Sequence, residues 1–356
     1  MKKRSWSLLF LAVLLFLGTV GCGSFMAHRM VQAPNTYPTW FAPEAPVLLD
    51  FHPNFMTNFP RQYVTVGSPP AKLCYRLIEP ADYRFTVATT NWMEGASPRT
   101  EFDFRADMPA PTNAWTAHPR GTVVLLHGYA LAQFSMMPWA LQLAQDGWRC
   151  VLVDLRGHGR SSGKKIYYGL EEVHDLSQLL DHLGQSGQLS KPVAAVGESY
   201  GAALALRWKT VEPRVHLVVA IAPYGCLSNS VLNLQSEYAD WVPQSWIRAG
   251  LRHLPAVLNT TASELDTTTP LSRYPVKALF ITADGDTIAP TNEVAGLEAL
   301  AAPGSQLIIV HDSTHETLTY HFDDLAKPVL QWLKAGDESG GSALNSRPAE
   351  AATRMQ

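Results

Sequence analysis

KPVAAVGESYG, residues 191–201, sets a small hydroxyl, Ser199, between Gly197 and Gly201 at the end of an apolar run. Five letters of the form G-x-S-x-G arise by chance often enough that alone they prove little. Their meaning depends on what surrounds them. Beyond Gly121 the chain alternates short β-rich apolar runs with helical ones: TVVLLHG, FSMMPWALQLAQDGW, RCVLVDLRGHG, LEEVHDLSQLLDHLGQ and PVAAVGES. The helical stretch AALALRWKTVEP follows, then the strands VHLVVAIAP, VKALFITADGD and SQLIIVHD, and a last helix around LAKPVLQWLKAG. Continuous apolar strands separated by amphipathic helices predict a parallel sheet covered on both faces, an α/β doubly wound fold. Ser199 then sits where a buried strand turns sharply into a helix. Such a turn leaves no room for side chains around the serine and holds it strained with its hydroxyl exposed. The N-terminal amides of the next helix point at the same spot and favour negative charge there. Ser199 is therefore predicted to be a nucleophile rather than a turn residue.

Composition narrows the alternatives. With 356 residues, 46% of them hydrophobic and 17% charged, the chain has material for a large core. A formal net charge of −3, with no basic cluster interleaved with aromatics after the N-terminus, excludes nucleic acid as an expected partner. Setting Cys22 aside, Cys74, Cys150 and Cys226 form an odd set without metal-ligand spacing, so no metal site is expected. Cys150, inside WRCVLVDL, reads as a small buried hydrophobe, and one disulfide among the three is compatible with export.

At the N-terminus, Lys2, Lys3 and Arg4 precede SLLFLAVLLFLGTV, an apolar run too short to span a bilayer comfortably. It reads as an export signal. The following Thr19-Val20-Gly21-Cys22 resembles the lipobox of bacterial lipoproteins, with Thr19 in place of the usual Leu. That resemblance implies a diacylated Cys22 at the mature N-terminus and, with Gly23 rather than Asp next, the outer membrane of a Gram-negative cell envelope. An uncleaved anchor and ordinary signal cleavage are the alternatives.

From Cys22 to about Trp115 periodicity is weak, and the beginning of this stretch is taken as a tether. KLCYRLIEP and YRFTVATTNW read as strands joined by a turn near Pro80-Ala81-Asp82, and DMPAPTNAWTAHPRG as a loop into the core.

Five motifs in order, LLHGY (125–129), DLRGHGRSSG (154–163), GESYG (197–201), ADGDTIAP (283–290) and STHE (313–316), resemble the α/β-hydrolase superfamily. Within it they are similar to the branch of monoacylglycerol lipases, lysophospholipases and related serine hydrolases. The resemblance covers roughly residues 120–335 and implies a Ser-Asp-His chain order. A serine nucleophile needs a base, and the base needs a carboxylate to orient it. His315, a short loop beyond the last core strand, is the expected base, whereas His311 at the strand end is expected to pack locally. Asp284 and Asp286 compete for the acid; the family habit of an acid four positions before a proline selects Asp286, leaving Asp284 as a turn residue. The fold implies backbone amides of Tyr129 and Tyr200 as the oxyanion hole. His127, His158 and Asp154 are expected to shape loops, and Arg156 and Arg160 to be solvated or to meet an anionic substrate group.

The long segment between Pro223 and Val276 is where hydrolase-fold enzymes insert a cap. Trp241, Trp246, Ile247, Leu251, Leu254 and Leu258 among polar positions suit an amphipathic lid over an apolar pocket, with Trp246 expected on its inner face. The chain thus divides into a lipoprotein signal (1–21), a tether (22–60), a hydrolase domain (61–335, cap about 224–275) and a disordered tail (336–356). The expected activity is ester hydrolysis on a lipid-like small molecule such as a monoacylglycerol or lysophospholipid, without a cofactor. A proline-iminopeptidase-like peptidase and a non-catalytic envelope lipoprotein of the same fold are the competing readings.

Overall fold

The computed structural model describes residues 23–37, 47–51, 55–94, 97–108 and 118–344. The signal run and Cys22 lie outside them. A helix at 23–30 (α1) and strand β1 (Val47–Phe51) precede β2 (Gln62–Val66) and β3 (Ala71–Ile78). A hairpin of β4 (Arg84–Glu94) and β5 (Ser97–Asp107) follows. The alternating part then runs β6 (Thr122–Leu126), α2 (Met137–Gln145), β7 (Arg149–Asp154), α3 (Glu172–Gln185), β8 (Val193–Glu198), α4 (Tyr200–Val211) and β9 (Val215–Ile221). The cap consists of α5 (Leu227–Tyr238), α6 (Gln244–Leu258) and α7 (Thr268–Arg273); β10 (Leu279–Ala283), α8 (Thr291–Leu300), β11 (Gln306–Val310) and α9 (Phe322–Leu344) complete the chain.

Eight strands form the main sheet in the order β11-β10-β9-β8-β6-β7-β3-β2, parallel from β11 to β7 and antiparallel at β3 and β2. It is the doubly wound sheet expected, and strand alternation explains its two cores. Val124 and Leu126 of β6 point into a layer with Leu176, Leu180, Leu204 and Trp208 from α3 and α4. Their neighbours Val123 and Leu125 point to the other face, with Trp139 of α2 and Val329 of α9. Both faces of a parallel strand are dry, so its sequence reads as an unbroken apolar run.

Four expectations are corrected. The strands β3 and β4 are not partners: β3 pairs with β2 and β7, while β4 pairs with β5 in a separate three-stranded sheet, β1-β5-β4. That sheet docks through Phe102 and Phe104, whose rings lie 5.0 and 5.9 Å from Tyr320. Residues 23–37, placed in the tether, are instead packed on the body, with Ala27, Val31 and Ala33 buried. The backbone of α9 continues past residue 336 into the expected tail, to Leu344. Finally, Trp246 and Trp241 are not inner-face residues: they are 51% and 71% exposed, while Ile247, Leu254 and Leu258 carry the buried face of the cap. A helical stripe fixes which residues share a face, but only the docking partner decides which face turns inward.

The thiols of Cys74, Cys150 and Cys226 are free. The antiparallel register sets Cys150 opposite Ile78, four positions along β3 from Cys74. Among the described residues no group of His, Cys, Asp and Glu could hold a metal ion, and no helix is long and apolar enough to cross a membrane.

Candidate active site

The turn from β8 into α4 is built by steric necessity. A Cβ at Gly197 would collide with the carbonyl of Gly201, and one at Gly201 with the carbonyls of Leu126 and His127 on the neighbouring strand end. Between them Ser199 is held at φ 49°, ψ −112°, outside the regions that non-glycine residues favour. Its neighbours Glu198 and Tyr200 are buried, but Ser199 itself is partly accessible.

The loops after β10 and β11 bring two side chains to it. His315 Nε2 lies 2.9 Å from Ser199 Oγ, and His315 Nδ1 lies 2.8 Å from Asp286 Oδ2. The other carboxylate oxygen, Asp286 Oδ1, accepts the backbone N–H groups of Ile288 and Ala289 at 2.8 and 2.7 Å. Asp286 is thereby fixed with no accessible side-chain surface. Burial works against a charged imidazole at His315, yet the hydrogen bond and charge of Asp286, helped by Glu316 and Glu198, prevail and raise its pKa above the ordinary value. Asp284 is elsewhere: it pairs with His311 at 2.9 Å on the surface.

Tyr200 opens α4, so within that helix its N–H has no carbonyl four residues back. The Tyr129 amide follows Gly128, whose own N–H is taken by Glu198 Oε1 at 3.1 Å. Glu198 is the residue whose role the motif did not disclose. Buried beneath the elbow, it also accepts from Ser135 Oγ at 2.7 Å and so ties the loop after β6 to the end of β8. Burial raises its pKa, against the hydrogen bonds from Ser135, Gly128 and Thr319. A carboxylate among five buried neighbours in β8 was the available signal.

The loop-shaping residues are accounted for. His127 Nε2 accepts the Leu155 N–H at 3.0 Å and the ring's Nδ1 lies 2.8 Å from the Gly128 carbonyl; burial lowers its pKa to about 4, so the ring is neutral at pH 7. His158, lowered to about 3 by burial and by His127, stacks on Tyr200. Asp154 accepts the backbone N–H groups of Gln133 and Arg160 at 2.8 Å each. Arg156 is not available to a substrate, because it is buried in a two-point ion pair with Asp175, 2.7 Å at each contact.

Beside Ser199 and His315 opens a cavity of about 190 Å³. Its walls include Met30, Tyr168, Tyr224, Leu227, Val231 and Ile288, so α5, rather than the tryptophans of the cap, closes it. Among the described residues no carboxylate lines it.

The family model Hydrolase_4, serine aminopeptidase S33, matches residues 117–308. The chain belongs to this family. As a member of Hydrolase_4 it has the α/β-hydrolase fold. It is similar to the uncharacterized protein YqkD of Bacillus subtilis, 26% identical over 120 residues, which are 33% of this chain and 39% of that one. It is also 35% identical over 94 residues to epoxide hydrolase B of Mycobacterium tuberculosis, 26% of this chain and 25% of that one. The chain thus spans well under half the length of these curated relatives. Among solved structures, the Pyrococcus furiosus esterase Pf2001 superposes with a TM-score of 0.57 at 18% identity, covering 82% of this chain and 99% of the esterase. A bromoperoxidase from Bacillus anthracis gives a TM-score of 0.50 at 18% identity, over 77% of this chain and 100% of the other. At such identities the likeness speaks for the fold.

Proposed function

We infer that this protein is a serine hydrolase of carboxylic esters, acting through an acyl-enzyme on Ser199. The observation that carries the reading is the unbroken line Ser199 Oγ, His315, Asp286 at a strained elbow beside an apolar cavity. Ser199 Oγ attacks the ester carbonyl carbon as its proton passes to His315 Nε2. The oxyanion is received by the amides of Tyr129 and Tyr200. His315, its cation stabilised by Asp286, returns the proton to the departing alkoxide. Water, deprotonated by His315, then attacks the acyl group and restores Ser199 with release of the acid.

The substrate's acyl part is apolar. The cavity's 190 Å³ is close to the roughly 150 Å³ of an apolar cavity that takes up benzene. Chains of roughly four to eight carbons therefore fit within it, and each buried methylene contributes about 0.8 kcal/mol. Single-chain esters of the monoacylglycerol or lysophospholipid type with acyl groups of this short to medium length are the substrate class proposed. Membership of a family described as serine aminopeptidase S33 favours a second reading, an aminopeptidase. That activity requires an acid for the substrate's ammonium group, and the absence of one from the described lining favours esters. The discriminating experiment combines fluorophosphonate labelling with rates on p-nitrophenyl esters, monoacylglycerols, lysophospholipids and aminoacyl amides. Rapid labelling at Ser199 with ester turnover supports the proposal. Amide preference supports the peptidase, and no labelling a non-catalytic envelope lipoprotein.

Location belongs to the same proposal: Cys22 is acylated and holds the enzyme on the outer membrane of a Gram-negative envelope. Support comes from the basic start, the apolar run and Thr19-Val20-Gly21-Cys22. Two or three acyl chains anchor firmly where one is marginal. Cys22→Ser is expected to release the protein or leave a precursor; absence of fatty-acid labelling in the wild type would reject the anchor.

A further inference from the structure

The chain just beyond Cys22 does not leave the catalytic body. It is clamped from two sides. On the cap side, a Cβ at Gly250 of α6 would stand 2.8 Å from Met26 Cβ and 2.9 Å from Met30 Cε, so α1 lies tight against α6 only because that position is glycine. On the body side, residues 31–35 run along the loop after β7. Ile166 N donates to Val31 O at 2.9 Å, Ala33 N to Lys164 O at 3.1 Å, and Asn35 N to Gly157 O at 3.1 Å. Tyr168 Oη donates to Met30 O at 2.7 Å, and Tyr37 Oη lies 3.2 Å from Tyr129 Oη, in the loop proposed to supply an oxyanion amide. Held this way, Met30 is half-buried and lines the cavity together with Ser199 and His315.

We propose that Met30 is a specificity-determining residue, held as a wall of the acyl pocket by the docking of residues 23–37 on the body. The assignment rests on the ester-hydrolase reading for its substrate class. An unbranched thioether with three rotatable bonds makes an adjustable wall, and its length sets how much chain the cavity accepts. Shortening Met30 opens room for further methylenes, each worth about fourfold in specificity from about 0.8 kcal/mol of transfer free energy. Enlarging it removes that room.

The test uses the full-length chain with Met30→Ala, Met30→Trp and, as a control on the exposed side of the same helix, Phe25→Ala. The readout is kcat/KM across butyrate, hexanoate, octanoate and decanoate esters below their micellar range. Met30→Ala is expected to raise the octanoate-to-butyrate ratio roughly tenfold, Met30→Trp to lower it by a similar factor, and Phe25→Ala to leave it in place. A ratio unchanged in both Met30 variants, with folding verified by circular dichroism, overturns the proposal, and so does an equal change in Phe25→Ala. Affinities of the same straight-chain acids for the Ser199→Ala form, measured by isothermal titration, score the wall without turnover. Failure of wild-type Ser199 to label with fluorophosphonate would therefore sink the acyl-enzyme reading, while the affinity ratios still decide on Met30.

Discussion

Two Asp–His pairs stand side by side in this molecule, supplied by the same two loops. Asp286 meets His315 at 2.8 Å, and Asp284, two residues earlier, meets His311 at 2.9 Å. The distances do not distinguish them. The surroundings do: side-chain exposure is 0% and 13% in the first pair, 45% and 78% in the second. Asp286 is locked by two backbone amides and its histidine continues to a strained serine. The outer pair is an exposed contact in which His311 holds the Asp284 carboxyl below its ordinary range. On the proposed reading, a hydrogen-bonded Asp–His pair serves as chemical machinery when burial makes its electrostatics strong and a third group waits at the other nitrogen.

The comparison breaks most sharply by substitution. Ser199→Ala, His315→Ala and Asp286→Asn are each expected to lower kcat on a p-nitrophenyl ester by on the order of 10⁴-fold, whereas Asp284→Asn and His311→Ala change it less than about twofold. The reverse ranking would transfer the acid to Asp284.

A third pair tests burial itself. Arg156 and Asp175 are each 2% exposed, and Arg156→Met is expected to cost about 3–5 kcal/mol in urea denaturation by leaving Asp175 buried and unpaired. Arg160→Ala, on an exposed side chain, should stay within roughly 0.5 kcal/mol. Equal, small losses would mean that water reaches Asp175 readily.

Glu198 separates position from charge. Glu198→Ala removes the acceptor of both Gly128 and Ser135 and is expected to reduce kcat by roughly 10²-fold, because the loop proposed to supply an oxyanion amide loses its tie. Glu198→Gln keeps an accepting oxygen and should cost only a few-fold. Equal losses in the two variants would assign the effect to charge alone.

The smallest effect is a shift along the pH axis. In the proposed mechanism His315 must be neutral to act as base, and its pKa lies above the ordinary 6.5, so kcat/KM is expected to fall on acidification through an apparent pKa above 6.5. Residual activity in Asp286→Asn should show that limb displaced toward lower pH, because the bond and charge that raise the pKa are gone. His311→Ala should leave it unmoved. An acid limb insensitive to Asp286→Asn would detach the limb from His315.

The parts legible from sequence are those whose physics is local. Unbroken apolar runs announced β6 through β10 because a strand covered on both faces tolerates little else, and Gly197 and Gly201 announced the elbow because no side chain fits there. The alternation that buries Phe102 and Phe104 in β5 was also present, in SPRTEFDFRAD, but a period of two does not say which sheet will take the strand. That choice is made by contacts far apart in the chain, and it sent β4 to β5 rather than to β3.

What the sequence by itself determined, then, is the fold class, the strained serine and the two loops offering an acid and a base. Between Asp286 and Asp284, in one loop with the same chemistry, the sequence offered only a family spacing to Pro290; tertiary structure supplied the physical difference, their burial. It alone turned Trp246 outward and brought Met30 in, because the facing of a helix and the docking of the segment 23–37 depend on surfaces assembled from distant segments. Local pattern specifies which residues go together; free energy of burial, summed over the whole molecule, specifies where they go.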